Sequence, residues 1–198
     1  MNRELLKKNY EEHGFKPVFF DTKEEAANYL AGELKGKVIA FGGSVTLQEM
    51  GLDSVLAAEN EVIWHWLTPG PAALKKAREA EIYITSANAV SESGELVNID
   101  GTGNRVSQTL FGPKKTYFVV GKNKICPDLS AAMDYAKNVA ATKNAVRLNR
   151  KTPCAANGGD KCYHCNSPEK ICHATVILEH PCGPMEVEVL FVDEVLGY

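Results

Sequence analysis

Four cysteines stand close together toward the end of the chain. Cys154, Cys162, Cys165 and Cys172 fall within nineteen residues at C-x7-C-x2-C-x6-C spacing, among Gly, Pro, Asn and Ser. A segment of that composition has little apolar surface to bury, so something other than packing must order it. Four thiolates can do so by holding a tetrahedral zinc ion or an iron–sulfur cluster. The two residues between Cys162 and Cys165 let both sulfurs turn toward one centre. A [4Fe–4S] cluster is the expectation and structural zinc the alternative, because spacing alone does not separate the two. His164 and His173 flank the ligand positions and could replace one, although a polar loop more simply leaves both facing solvent. A disulfide framework needs an oxidising compartment. The opening residues, MNRELLKKNYEEHGF, carry charges throughout and no apolar core, so they are not a secretory signal. A thioredoxin-like pair normally opens a helix after a strand, whereas this pair sits among turn formers. Cys126 and Cys182 lie outside the run and read as buried small apolar residues.

Two further loops offer chemistry. In the first, Phe41-Gly42-Gly43-Ser44-Val45-Thr46, an apolar run ends in two glycines and a helix begins. Glycines allow close backbone approach, and the free N–H groups of a helix start favour anions. Ser44 would cap that helix and Thr46 would add a hydroxyl in its first turn. The loop has neither a complete G-x-G-x-x-G nor a P-loop lysine, so a dinucleotide fold of that type and an NTPase are unsupported. A tight turn with a helix cap explains the same residues equally well. The second loop, 88–105, carries Asn88, Glu92, Glu95, Asn98, Asp100, Gly101, Thr102, Gly103, Asn104 and Arg105. Loops this long and polar usually bind something. Asp100, with Gly101 and Gly103 beside it, puts a carboxylate on a loop with room for a ligand, and Arg105 could clamp a carboxylate or phosphate bidentately. Glu92 and Glu95 are candidates for general base or nucleophile. Turn hydrogen bonding is the competing explanation for Asn98 and Thr102 above all. His65, between Trp64 and Trp66, reads as a packed structural histidine.

The elements that must position these residues alternate between helical and extended patterns, which predicts a mostly parallel sheet covered by helices. Helices are expected at 2–13, from Thr22 to about Leu34, and at 44–50, 53–59, 71–80 and 105–111. Strands are expected at 16–20, 38–41, 61–64, 81–85 and 115–121. Between 86 and 104 the pattern suggests a hairpin and a loop. A long helix spans 128–149 with Met133, Ala136, Val139 and Ala140 on one face. Strands at 174–179 and 186–192 close the chain. With 198 residues, 44% hydrophobic and 24% charged, one compact domain over 1–198 is expected, with the cysteine-rich loop 151–173 inserted before the closing strands. A net charge of −3 gives no reason to expect nucleic acid as a partner. No apolar run approaches the roughly 20 residues of a membrane span, which points to a cytoplasmic protein with reduced thiols.

Three stretches together resemble the LUD-domain family of lactate-utilisation proteins: FGGSVTLQEMGL (41–52), TSANAVSESGELVNIDGTGNRVSQTLFGPKKTYFVVGKNKI (85–125) and LFVDEVLGY (190–198). The segment TPCA…C…C…SPEKIC looks like the cysteine-rich extension of stand-alone members. The resemblance implies a Rossmann-like three-layer α/β sandwich of the NagB/RpiA/CoA-transferase-like type. It implies a phosphate or other anion at the Gly-rich loop (Gly42, Gly43, Ser44, Thr46), and Asn88, Gly101, Gly103 and Asn104 of the polar loop are the further ligand-binding candidates. It also favours acidic residues on later loops, here Glu92, Glu95 and Asp100, as base or nucleophile. The family is tied to oxidation of L-lactate to pyruvate, in a system whose other subunits carry iron–sulfur clusters. The expected function is therefore binding of a small anionic metabolite within organic-acid oxidation, with an iron–sulfur redox partner protein and a homo-oligomer as further associations. Alternatives are a non-redox hydrolase, isomerase or CoA-transferase relative, or a scaffold subunit with structural zinc.

Overall fold

Central strands of a parallel sheet are buried on both faces and need apolar side chains at nearly every position. VIAF, IYIT, KTYFVVG and EVEVLFV meet that demand. The computed structural model describes residues 1–198. In chain order it runs α1 (Arg3–Glu12), β1 (Lys16–Phe20), α2 (Lys23–Glu33), β2 (Val38–Phe41), α3 (Val45–Glu49), α4 (Leu52–Ala57) and β3 (Glu61–Trp64). It continues through α5 (Pro71–Arg78), β4 (Ile82–Thr85), β5 (Ala89–Ser91), β6 (Leu96–Asp100), α6 (Asn104–Leu110) and β7 (Lys115–Gly121). A 3-10 turn at Lys122–Lys124 leads into β8 (Ile125–Cys126). Then come α7 (Leu129–Tyr135), a π-helical segment (Ala136–Ala141), α8 (Thr142–Arg147), α9 (Pro153–Ala156), β9 (Ala174–Leu178) and β10 (Glu186–Val192).

Six strands form one sheet in the order β1-β10-β7-β4-β2-β3, and every pairing in it is parallel. Side chains alternate across it as strand geometry requires. Tyr117 and Val119 of β7 join Leu30, Leu47, Leu52 and Leu56 from α2, α3 and α4 on one face. Phe118 and Val120 face the other way, toward Leu6 and Tyr10 of α1 and Val90, Leu96 and Leu178. That second face is covered by a smaller sheet, ordered β8-β5-β6-β9. Its far side packs Ala89, Val97 and Cys126 against Ala132 and Ala136 of the long helix. The result is the Rossmann-like α/β fold around a parallel sheet that the family resemblance implied, with the smaller sheet as an added layer between that sheet and the long helix. No helix is long and apolar enough to cross a membrane.

The predicted hairpin forms as β5 and β6, paired antiparallel, and belongs to this second sheet. Both closing strands form but part company. β9 pairs with β6, whereas β10 enters the main sheet between β1 and β7. Period-two alternation shows which residues share a face but not which neighbour a strand selects. The helix expected over 128–149 is interrupted by the π segment, a feature found mostly where a helix meets a functional or irregular neighbour.

Two glycines have opposite reasons for being small. A Cβ on Gly32 in α2 would meet nothing within 4 Å, so its absence leaves only the entropic cost of a helical glycine. A Cβ on Gly42 would lie 2.5 Å from both Thr85 Oγ1 and Tyr83 Oη. Gly32→Ala should therefore stabilise the protein by about 0.5–1 kcal/mol, and Gly42→Ala should destabilise it by about 1–3 kcal/mol. Urea denaturation of the two variants against wild type checks both signs.

Candidate functional site

Ligands of open α/β sheets bind beyond the carboxyl ends of the strands. Here β2, β4 and β7 are neighbours, so the loops that follow them meet. Gly42–Ser44, Ser86–Asn88 and Lys124 reach one place. The segment after β10 crosses the same end, where Thr46 Oγ1 donates to Leu196 O at 3.2 Å and Gly197 N–H to Glu49 Oε2 at 2.7 Å. A cavity of about 50 Å³ lies between these loops, lined by Lys124, Arg105, Thr46, Ser86, Asn88 and Tyr198 among others. No acidic side chain lines it. A wider cavity of about 300 Å³ adjoins it and shares Gly43, Trp66, Asn88, Arg105 and Asn144.

Lys124 is the residue that sequence reasoning missed. Its ammonium is buried and touches only neutral oxygens: Thr46 Oγ1 at 2.8 Å, Ser86 Oγ at 2.9 Å and Ala87 O at 3.2 Å. Burial, reinforced by the nearby Arg105 charge, pushes the amine down to about 7. In the sequence it sits in KNKIC, which looks like an ordinary polar turn. The one available signal was its position, three residues beyond the carboxyl end of a buried strand.

Arg105 and Asp100 stand in the wall of the cleft but are spent on its framework. Arg105 Nη1 donates to Ser86 O at 3.1 Å and to Asn98 Oδ1, and Nη2 donates to Asn88 Oδ1 at 2.9 Å and Ile99 O at 2.8 Å. Four acceptors take up both terminal nitrogens, so the bidentate clamp expected from sequence has no free fork. What the guanidinium offers a ligand is charge. Asp100 Oδ1 accepts from Thr102 N–H at 3.0 Å and Gly103 N–H at 2.8 Å, and Oδ2 from Val106 N–H at 3.3 Å. Its Oδ2 also lies 3.7 Å from Arg105 Nε. Both oxygens thus fasten the start of α6, behind the left-handed Gly103. Asn88 Oδ1 also receives the Ile99 N–H at 2.8 Å. Asn104 begins α6 beside Thr102, whose hydroxyl donates to it. Thr102 serves the turn, as expected, whereas Asn98 lies within β6 and its Oδ1 accepts from Arg105 rather than from a turn.

In the glycine loop, Ser44 caps α3, its Oγ accepting from Leu47 N–H at 3.3 Å. That helix is only five residues long, so the positive field comes from Lys124 and Arg105 more than from a helix start. Gly43 makes room for an aromatic ring: a Cβ there would lie 2.9 Å from Trp66 Nε1. His65 is half-buried beside Trp66, faces the wider cavity, and is held below the usual histidine range by burial. Glu92 and Glu95 are not brought to the cleft. They occupy the turn between β5 and β6, at the far end of the hairpin from Asn88 and Asp100. Glu95 accepts from Ser93 Oγ at 2.7 Å and from Ser91 Oγ, and Glu92 O accepts from Asn9 Nδ2 at 2.6 Å.

Cys154, Cys162, Cys165 and Cys172 line one cavity of about 260 Å³ next to the cleft, sharing Ala141 and Ile171 with it. Cys162 Sγ accepts from His164 N–H at 3.4 Å. Hydrogen bonds from Ser167 hold the Cys165 thiol below the ordinary range, whereas burial and the neighbouring Cys162 raise Cys172. The four sulfurs share the cavity but are not drawn to a single point as metal ligands would be. The segment is tied to the π-helical stretch by Cys162 N–H to Asn138 Oδ1 at 2.8 Å, and to the cleft wall by His173 N–H to Asp100 O at 3.0 Å. His164 and His173 are exposed. Cys126 is buried and Cys182 partly so.

A family model for the LUD domain matches residues 3–192. The chain belongs to the LUD-domain family. A crystal structure of a DUF162 family protein from Deinococcus radiodurans is similar in fold to this LUD domain, with 14% identity, 96% of this chain and 95% of that chain covered, and a TM-score of 0.54. A ribose 5-phosphate isomerase from Plasmodium falciparum overlaps 53% of this chain and 52% of its own at 16% identity, with a TM-score of only 0.35. No curated protein matches the sequence.

Two outcomes follow for this LUD domain. With the Lys124 amine at about 7, an anion bound beside it above that pH must take up a proton with it. Affinity for sulfate or L-lactate should then be flat below about pH 7 and fall about tenfold per pH unit above it. Calorimetric titration from pH 6 to 9 measures this, and Lys124→Met should abolish the dependence. Separately, Arg105→Lys keeps the charge but loses most of four buried hydrogen bonds, and should cost about 2–4 kcal/mol in urea denaturation.

Proposed function

We propose that this LUD domain binds a small carboxylate or phosphorylated metabolite in the cleft and takes part in organic-acid oxidation of the L-lactate to pyruvate type. The observation that carries the reading is the uncompensated charge. Lys124 and Arg105 line one small cavity whose lining includes no carboxylate, and the sole carboxylate of the adjoining cavity, Asp100, is engaged by three backbone N–H groups and Arg105. A buried ammonium among neutral oxygens is costly unless an anion joins it. A ligand carboxylate there would accept from the Lys124 ammonium, while Trp66 and Tyr198, which line the same cavity, exclude water.

Cys154, Cys162, Cys165 and Cys172 are proposed to hold a [4Fe–4S] cluster. Four soft donors around one cavity, with the His164 N–H bonding to the Cys162 sulfur and the Thr152 hydroxyl beside Cys154 Sγ, fit a thiolate-bound centre. Such a cluster would supply one-electron transfer next to the cleft. Structural zinc is the second reading, favoured by the way the segment buttresses the cleft: a Cβ on Gly101 would lie 3.0 Å from Ile171 O, so the two backbones are in contact.

The test is protein purified anaerobically, with metal analysis and visible spectra. A cluster predicts broad visible absorbance bleached by dithionite, and iron lost in each of Cys154→Ser, Cys162→Ser, Cys165→Ser and Cys172→Ser but retained in Cys126→Ser and Cys182→Ser. Zinc in a colourless protein would select the second reading. Equal metal loss from all six variants would refute the quartet. Binding of L-lactate that survives Lys124→Met would refute the anion cleft.

A further inference from the structure

Arg147 and Arg150 lie at the end of α8 and line the wider cavity, outside the pocket that holds Lys124. Neither has an acidic partner within 4.0 Å. Basic residues near a helix carboxyl end are favoured by its dipole, which explains their presence but not how they are held. Arg147 Nε and Nη2 donate to Asn144 Oδ1 at 3.2 and 3.1 Å, and its guanidinium lies 4.7 Å from the Trp66 ring centroid. Trp66 in turn stacks on the buried Trp64 at 5.3 Å and 18°. A surface arginine packed in this way, with the Tyr198 hydroxyl also beside it, is already ordered, and its Nη1 takes no part in the bonds to Asn144. Arg150 is placed by a helix cap: Asn149 is left-handed at φ 50°, and Arg150 N–H returns to Ala145 O at 3.0 Å.

The cleft therefore has two cationic ends. Lys124 and Arg105 are deep, Arg147 and Arg150 are at the mouth, and Trp66 stands between them, lining both cavities. We propose that the mouth is a second anion subsite, so that the ligand is a carboxylic acid that also carries a phosphate ester. This rests on the anion cleft of the preceding section, with the carboxylate at Lys124. Phosphate suits the outer end because it carries up to two charges and three acceptor oxygens, matching two guanidinium groups. The outer cavity, about 300 Å³, has room for it.

The experiment is calorimetric titration of the full chain at pH 7 with 3-phosphoglycerate and with L-lactate. Wild type should bind 3-phosphoglycerate at least about tenfold more tightly than L-lactate. Arg150→Ala, which removes no packed ring contact, should narrow that ratio, and Arg147→Lys should narrow it while keeping a charge at the mouth. The double variant Arg147→Ala/Arg150→Ala, with its melting temperature measured alongside, should bring the ratio to within about twofold of one. A ratio near one in wild type, or a wild-type ratio that persists in Arg150→Ala and in the double variant, overturns the second subsite. L-lactate binding that is lost in Lys124→Met would then still support the one-anion cleft. Failure of both compounds to bind wild type would overturn both.

Discussion

The guanidinium of Arg105 is the tie on which the cleft depends. It gathers Ser86 O from the end of β4, Asn88 from the entry to β5, and Asn98 and Ile99 O from β6. These segments belong to two different sheets, so one side chain joins the main sheet to the smaller one where the loops of the cleft meet. Its donors are spent on protein oxygens, yet its charge is neutralised only by Asp100, whose Oδ2 lies 3.7 Å from Nε. Lys124, close enough for Arg105 to depress its amine, adds a second positive group to the same wall. Against these two cations stand Asp100, committed to the start of α6, and Glu49, which acts on Lys124 from outside the cavity lining while accepting from Gly197 N–H.

The aromatic and cysteine regions are built around that wall. Gly43 lets Trp66 lie against the glycine loop, and Trp66 sets Arg147 at the cleft mouth. On the other side, the contact of Gly101 with Ile171 and the two bonds of His173 to Asp100 O and Gly101 O place the cysteine segment directly behind the loop that carries Asp100. The π-helical stretch forms the shared floor: Ala141 lines both the cleft and the thiol cavity, and the Thr142 hydroxyl just beyond it lies 2.9 Å from Gly159 O. Ordering of the cysteine segment and the shape of the cleft are thereby mechanically coupled. A centre bound by the thiols would stiffen the cleft wall whether or not it moved electrons.

The sequence by itself determined the elements and the family. Apolar runs as short as VIAF and TYFVVG, bounded by turn formers, read as strands of a covered parallel sheet, and Thr22 and Ser44 announce their helices because a hydroxyl satisfies backbone N–H groups that nothing else reaches. The distinctive 85–125 stretch carried the family, and the cysteine spacing brought four thiols to one cavity. Tertiary structure alone decided which polar residues face the cleft. Arg105 and Asp100 looked free in the sequence and proved to be framework, because a loop's own N–H groups and carbonyls compete with any ligand for the same side chains. Glu92 and Glu95 looked close to Asp100 and ended at the opposite tip of a hairpin, since each strand residue carries the chain about 3.3 Å away. Lys124 and Trp66 gave no local sign of their role. Their surroundings are assembled from β2, β4, β7 and the segment after β10, and the strand order that makes those neighbours is a property of packing, which no one segment encodes.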